Sequence, residues 1–345
     1  MPDLLLRSPQ YSTYIQGTLG GTTIKSSKLN ITIQGVLRYT LIKDAADGVS
    51  STYEWAELAR DYLNITYNGT PTTLPAFPII LDFTFHSLPN AGGSVVHTFQ
   101  ESHFGFDGYG TFLQSTNPTM YPPQFPLISN YTQAGSSDSG LKTYTVYATK
   151  NVEFYIPSIV SGEVIYTSTG YNGTSVSIGT YTVNIIRREC TKYTSNDGYT
   201  ELNGIKRGFQ VNFINKYGAI QTEFFTLKAV RSLKVKRETY NRNILQSNGA
   251  LQTFLHTKQN YNITATQSIT LNSFYVPEYY SMVYSEMLLS ESVWVRYRDK
   301  TTGNFQTIPI NIKDNSMSYK NSLNDRLIQF TFNFETSFDY INNVR

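Results

Sequence analysis

The chain of 345 residues contains one cysteine, Cys190, so no disulfide can close within it and a cysteine-ligated metal site is excluded. Charged residues make up only 15%, against a usual ~25%. No apolar run approaches the ~18 residues that a membrane-spanning helix requires. The opening Met1-Pro2-Asp3-Leu4-Leu5-Leu6-Arg7-Ser8-Pro9 has no basic leader ahead of a long apolar segment, so no secretory signal is expected. A net charge of +3 is too mild a bias to imply nucleic acid as the main partner. There is no P-loop, no dinucleotide fingerprint and no G-x-S-x-G nucleophile elbow. These absences lead us to expect a protein made in the cytoplasm, with no cofactor and no membrane contact, which would reach any extracellular destination by lysis or another signal-independent route.

Aromatic residues are abundant instead, at 14%, with 27 Tyr and 20 Phe. Aromatic, Thr and β-branched side chains suit a pleated, half-buried surface. Tyr also covers contact area with only two side-chain torsions to order, which suits an interface. Composition alone leaves the strand explanation and the interface explanation open. The expected fold is mainly β, with β-sandwich or barrel-like modules and a few short helices, in a chain long enough for several domains.

Along the chain the expected divisions are an N-terminal strand-helix module (1–88), a loop-rich insert (89–140), an antiparallel β domain (141–240) and a C-terminal β-sheet module (241–345). Residues 29–42 read as one long strand or a hairpin broken near Gly35. A short helix is expected over 53–63, where Trp55, Leu58, Ala59 and Tyr62 share a face, and a strand over 79–85. The stretch 89–140 is rich in Gly, Pro, Ser and Asn and reads as long surface loops. From 141 to about 236, short segments recur between turn signals such as Asn196-Asp197-Gly198, the spacing of an antiparallel sandwich or barrel. In the last module, Tyr280, Val283, Tyr284, Met287 and Leu288 form the stripe of an amphipathic helix. Pro277 suits its first turn, and the alternating strands 268–271 and 328–334 offer an apolar face for it to cover.

The candidate chemistry is thin. His97, Glu101 and His103 would project from one face if 95–104 were a strand, a set able to hold zinc, but the flanking Gly92-Gly93 and Gly105 favour an ordinary polar loop and we expect no metal. Asp82, Glu101 and Asp107 could be called a glycosidase pair, but the ~5 to 9.5 Å separation that glycoside hydrolysis needs is not given by sequence. We therefore expect no catalytic residues. The basic run Lys228, Arg231, Lys234, Lys236, Arg237 and Arg242 reads as a solvated strand face or a subunit contact, with Lys234 and Lys236 on one side and Leu233 and Val235 on the other. A lining for DNA passing through a channel is the less favoured alternative. The Asn-x-Ser/Thr sequences at Asn30, Asn64, Asn68, Asn130, Asn172 and Asn262 carry no implication of glycosylation without a secretory signal.

Two groups of segments carry a resemblance. Phe213-Ile214-Asn215-Lys216-Tyr217-Gly218-Ala219-Ile220-Gln221, Asn241-Arg242-Asn243-Ile244-Leu245, Ser268-Ile269-Thr270-Leu271-Asn272 and Leu288-Leu289-Ser290-Glu291-Ser292-Val293-Trp294 form the first. The closing 318–328 and 338–345 form the second. Together they resemble structural proteins of tailed bacteriophages of Bacteroidetes-type hosts, over roughly the last 140 residues and more loosely at the N-terminal strand and helix. The resemblance brings no catalytic residue. It implies a virion component of the tail or baseplate, assembling with copies of itself as a ring and with other tail, baseplate or neck proteins. On that reading Tyr279, Tyr280, Tyr284, Trp294, Tyr297 and Phe338 are the candidate assembly residues, although Tyr280 and Tyr284 fit core packing better. A different class of function, a carbohydrate-binding adhesin reading a host surface glycan, would place Phe104, Phe106, Tyr109 and Tyr121 on an exposed platform. A neck or head-completion protein differs only by position in the particle.

Overall fold

A computed structural model describes residues 3–111 apart from 16, 45–49, 64 and 70–75; a set of strands between 132 and 207; and residues 209–339 apart from 244–248, 251–252, 299–303, 315 and 319–326. The protein is mainly β, built of several sheets with two short α-helices among the described residues. It divides into two compact units, each drawn from three separate chain segments. Unit 1 comprises Met1–Arg187, Asn212–Glu223 and Tyr279–Glu291, and unit 2 comprises Arg188–Val211, Phe224–Glu278 and Ser292–Arg345. Four consecutive modules were expected from the sequence; long-range strand pairing draws on segments distant along the chain instead.

In unit 1 the chain forms β1 (Asp3–Leu5), β2 (Tyr11–Ile15), β3 (Ser26–Ile33), β4 (Val36–Asp44), β5 (Ser50–Glu54), α1 (Ala56–Arg60), β6 (Ala76–Leu88) and β7 (Gly92–Phe106). Five of these strands make a sheet in the order β1-β7-β6-β3-β4, with β1 parallel to β7 and the other pairs antiparallel. Residues 29–42 are thus a hairpin. Gln34 and Gly35 both have positive φ (51° and 77°), the geometry that matches the twist of a two-residue turn. Leu29, Ile31 and Ile33 of β3 and Ile79, Leu81, Phe83 and Phe85 of β6 alternate onto one face and form the core with Tyr53, Trp55, Ala56 and Ala59. On the other face Thr40 donates to Asn30 at 2.8 Å and Gln100 to Asp82 at 2.6 Å. With Asn30 opposite Asp82, these four side chains make one polar row across the sheet, the alternation expected of a sheet with one wet face.

Two expectations fail here for a common reason. Tyr53 lies in β5, which pairs with β2, and helix is confined to Ala56–Arg60; ladder pairing captures the start of the helical pattern. The segment 92–106, expected as loop, is a strand of 15 residues paired along β6. Its glycines sit at the turn and at the strand's far end, where Gly105 lies so close to Leu6 and Ile79 that an added Cβ would approach both within 2.7 Å. Further along unit 1, Lys142–Thr149, Tyr181–Arg188, Thr174–Ile178 and Thr132–Gln133 form a four-stranded sheet, and Glu153–Ser158 pairs with Gly162–Thr167. The turn signals 170–173, 196–198 and 203–204 lie outside the described residues.

Later in the chain come β8 (Phe209–Ile214), β9 (Ile220–Phe225), β10 (Val230–Asn241), β11 (Lys258–Asn272), α2 (Ser281–Leu288), β12 (Val293–Arg298), β13 (Phe305–Ile312) and β14 (Thr331–Thr336), beside several shorter strands. Strands β8 to β14 form a seven-stranded sheet in the order β9-β8-β12-β13-β14-β11-β10. The expected strand 328–334 is present in two parts, Leu327–Ile328 and β14. Phe330, Phe332 and Phe334 are buried, and within unit 2 Phe332 and Phe334 meet Phe225 edge-on at 6.0 and 6.2 Å. Helix α2 follows a single 3₁₀ turn, Glu278–Tyr280, directly after Pro277. Its buried side includes Tyr280, Val283, Tyr284 and Met287 as expected, with Leu288 half-buried, but also Glu286. The helix belongs to unit 1, with residues 212–223, rather than to a C-terminal module of its own.

Candidate functional site

The chemically distinctive side chains lie where the turn between β8 and β9 meets the segment 279–291, all within unit 1. Gly218 has φ +79°, a conformation that favours glycine at a tight turn, and its amide donates to the Asn215 carbonyl at 2.9 Å. The Asn215 side chain accepts from the amides of Tyr217 and Ala219 at 3.0 and 3.2 Å. Its amide group then donates to Gln221 at 3.0 Å, and Gln221 donates to Glu223 at 3.0 Å. Tyr280 closes the chain by donating to the other Glu223 oxygen at 2.5 Å. Burial pushes the Glu223 carboxyl up to about 7, with the bonds from Tyr280 and Gln221 opposing that rise. Burial and the adjacent Glu223 raise the Tyr280 hydroxyl well above its ordinary value.

A second, ionic cluster lies in the same unit. Arg60 donates through Nε to Asp107 at 3.0 Å and also binds Glu291. Arg7 pairs with Glu291 at 3.3 Å, donates to the Leu289 carbonyl at 3.0 Å and lies over the Tyr109 ring at 5.3 Å. Burial raises the Asp107 carboxyl in spite of the Arg60 guanidinium. Lys216 and Glu286 pair at 3.5 Å. These charges surround a crossing of backbones so close that a Cβ on Gly108 would stand 2.4 Å from the Lys216 carbonyl oxygen. A cleft of about 390 Å³ beside it is lined by Arg7, Ser8, Glu54, Glu57 and Arg60. Its walls carry both signs of charge, and its two arginines are bound to Glu291. Both clusters fasten chain segments to one another; neither presents an activated nucleophile.

The residues singled out from the sequence scatter. His97 and His103 do lie on a strand, but His103 pairs with Glu101 at 3.3 Å while His97 stacks on Phe85 with ring centroids 6.0 Å apart. Among the described residues no group of three or more metal-ligating side chains forms. The pairing register sets Asp82 opposite Gln100 and Glu101 opposite Leu81, so these two carboxylates face opposite sides of the sheet, and Asp107 is held by Arg60. Of the aromatic platform, Phe104 is exposed and Phe106 is core. Tyr109 is half-buried, and Tyr121 lies outside the described residues. Of the assembly candidates, Tyr280, Tyr284 and Trp294 are buried within the chain, which removes them as contact residues in the folded subunit. Tyr279 and Tyr297 are half-buried, and Phe338 is exposed. In the basic run, Arg231 lies over the rings of Tyr297 and Phe209 at 4.7 and 5.3 Å, while Lys228, Lys234, Lys236, Arg237 and Arg242 are exposed.

Sequence reasoning passed over Glu223, although a carboxylate inside the run Ile220-Gln221-Thr222-Glu223-Phe224-Phe225 is itself a signal: an acid in a strand buried on both faces needs partners. No family model, curated protein or solved structure matches this chain.

Proposed function

We propose that this chain is a non-enzymatic structural protein of a tailed-phage virion, assembling with copies of itself as a ring in the tail or baseplate and contacting other tail, baseplate or neck proteins. The observation that carries the self-assembly part is the character of two sheet edges. Strand β4 ends one sheet and β10 ends another, and both bear large apolar side chains in water: Val36, Leu37 and Ile42 on β4, Val230, Leu233 and Val235 on β10. A long edge strand offers unpaired backbone groups to another chain, and apolar side chains along it add area to bury on contact. The virion setting rests on the resemblance of segments such as 213–221 and 288–294 to phage structural proteins. The sealed position of Glu223, with both carboxylate oxygens engaged, supports a structural role over a catalytic one. The glycan-binding alternative has less support, because Phe106 is core and Tyr109 is stacked under Arg7.

The test is to purify phage particles from a culture producing this chain, digest them and quantify its peptides, with gold-labelled antibody to place it. Several copies per particle at the tail or its tip support the proposal. Absence from particles while the chain is abundant in the lysate overturns it.

A further inference from the structure

We propose that the outer edge of strand β4 docks antiparallel against β4 of a second copy of this chain, so that one five-stranded sheet continues into the other across a twofold axis. The inference rests on the self-assembly reading above and assigns a surface to it. Strand β4 ends its sheet with nine residues, Val36–Asp44. Its outer side has no partner strand among the described residues. Outside the ladder with β3, none of its backbone groups bonds another described segment. Alternate residues of such a strand turn their amide and carbonyl outward, which is a template for another chain. Seven of the nine residues are exposed, among them Val36, Leu37 and Ile42 at 48%, 56% and 47%. The strand holds no proline, and its one bulge, at Arg38 opposite the Ile31–Thr32 step of β3, leaves 39–44 regular.

The strand's own sequence selects the occupant. With Leu41 placed opposite the second copy's Leu41, Arg38 faces the second copy's Asp44 at both ends of the pairing, Tyr39 faces Lys43 and Thr40 faces Ile42. Opposite charges directly across an antiparallel pair are favourable, and like charges are not. Neither Arg38 nor Asp44 is in an ion pair among the described residues: Arg38 lies over the Tyr62 ring at 4.6 Å, and Asp44 accepts from the Asn90 amide at 2.6 Å. The other exposed edge fits β4 less well. Strand β10 holds Arg231, Lys234, Lys236 and Arg237 against Glu238, a net of +3, and β4 holds Arg38 and Lys43 against Asp44, a net of +1, so setting one on the other is the more repulsive pairing. A contact of β4 with itself is isologous and closes at two copies. In the proposed ring it joins subunits in pairs, and another surface carries the pairs round.

The contact is tested on the full chain by sedimentation velocity at fixed ionic strength, with near-ultraviolet dichroism checking the fold of each variant. Thr40→Lys/Ile42→Lys, at two exposed sites, sets lysine against lysine across the pairing and should weaken assembly at least about tenfold in concentration. Arg38→Glu and Asp44→Lys, each alone, should weaken it severalfold. Combined in one chain they restore opposite charges across the twofold, and assembly should return to within about twofold of the wild type. Val95→Lys, at an exposed site three strands away in the same sheet, is the control and should change nothing. Wild-type assembly that Thr40→Lys/Ile42→Lys retains overturns the β4 contact while leaving self-assembly standing. Weakening by that variant without rescue by the combined reversal overturns β4 as its own partner. A wild type that stays monomeric overturns both readings.

Discussion

Glu223 gives the fold a pH dependence of definite sign. Its carboxyl is raised from 4.5 to about 7 by burial, so between those values the folded protein holds a proton that the unfolded chain has released. The stabilisation is fully present below about pH 4.5 and is lost as pH rises through about 7. At about 1.36 kcal/mol per pKa unit, the whole span is worth about 3 kcal/mol, most of it between pH 5 and 8. Glu223→Gln removes the titration while keeping a side chain that can accept from Gln221 and pair with Tyr280. Urea unfolding of both proteins at pH 5, 6, 7 and 8 and constant ionic strength, followed by tryptophan fluorescence and dichroism, isolates this group as the difference between the two curves. The wild type should lose roughly 2 to 3 kcal/mol relative to the variant across that range. Parallel curves, or a wild type gaining stability toward pH 8 relative to the variant, would refute the buried-acid argument.

Gly218→Ala puts a Cβ at positive φ and 2.7 Å from the Asp107 amide nitrogen; a loss of about 2 to 4 kcal/mol in chemical denaturation is expected. Arg60→Met leaves the largely buried Asp107 carboxylate without its guanidinium and should cost about 2 to 4 kcal/mol by the same assay. Tyr53→Phe removes a hydroxyl that donates to the Ser27 carbonyl at 2.8 Å and lies 2.8 Å from the Ser27 hydroxyl, an expected loss of about 1 to 2 kcal/mol in melting experiments. Phe334→Ala, in the aromatic core of unit 2, should cost about 3 to 5 kcal/mol, whereas Phe338→Ala, at an exposed site, should leave subunit stability within about 0.5 kcal/mol.

Periodicity made the strands legible wherever one face is buried and the other wet: 29–33, 79–85 and 330–334 alternate in the sequence and in their burial. The α2 stripe was legible for the same reason, except that Glu286 sits among its buried residues, bound to Lys216. Residues 92–106 were not, because His97, Phe99, Glu101 and His103 fall where the core face runs out to solvent, leaving Phe99 exposed beside buried Phe83. No apolar rhythm remains there to mark a strand. Three of the candidate assembly aromatics, Tyr280, Tyr284 and Trp294, are buried within the chain for a different reason. A tyrosine pattern cannot distinguish an internal contact from an external one, and Tyr280 proved to be the donor to Glu223, a pairing between residues 57 positions apart that no local pattern encodes. The exposed β10 edge was written in the sequence as alternating Leu233-Lys234-Val235-Lys236, but the same alternation describes a strand packed on one face, and only its burial separates the two.

The central claim is self-assembly, and sedimentation velocity of the purified full chain from 0.5 to 50 µM, with images of the same sample, tests it most directly. A concentration-dependent shift to a closed species of several subunits is the predicted result. A single monomer boundary across the whole range would contradict it.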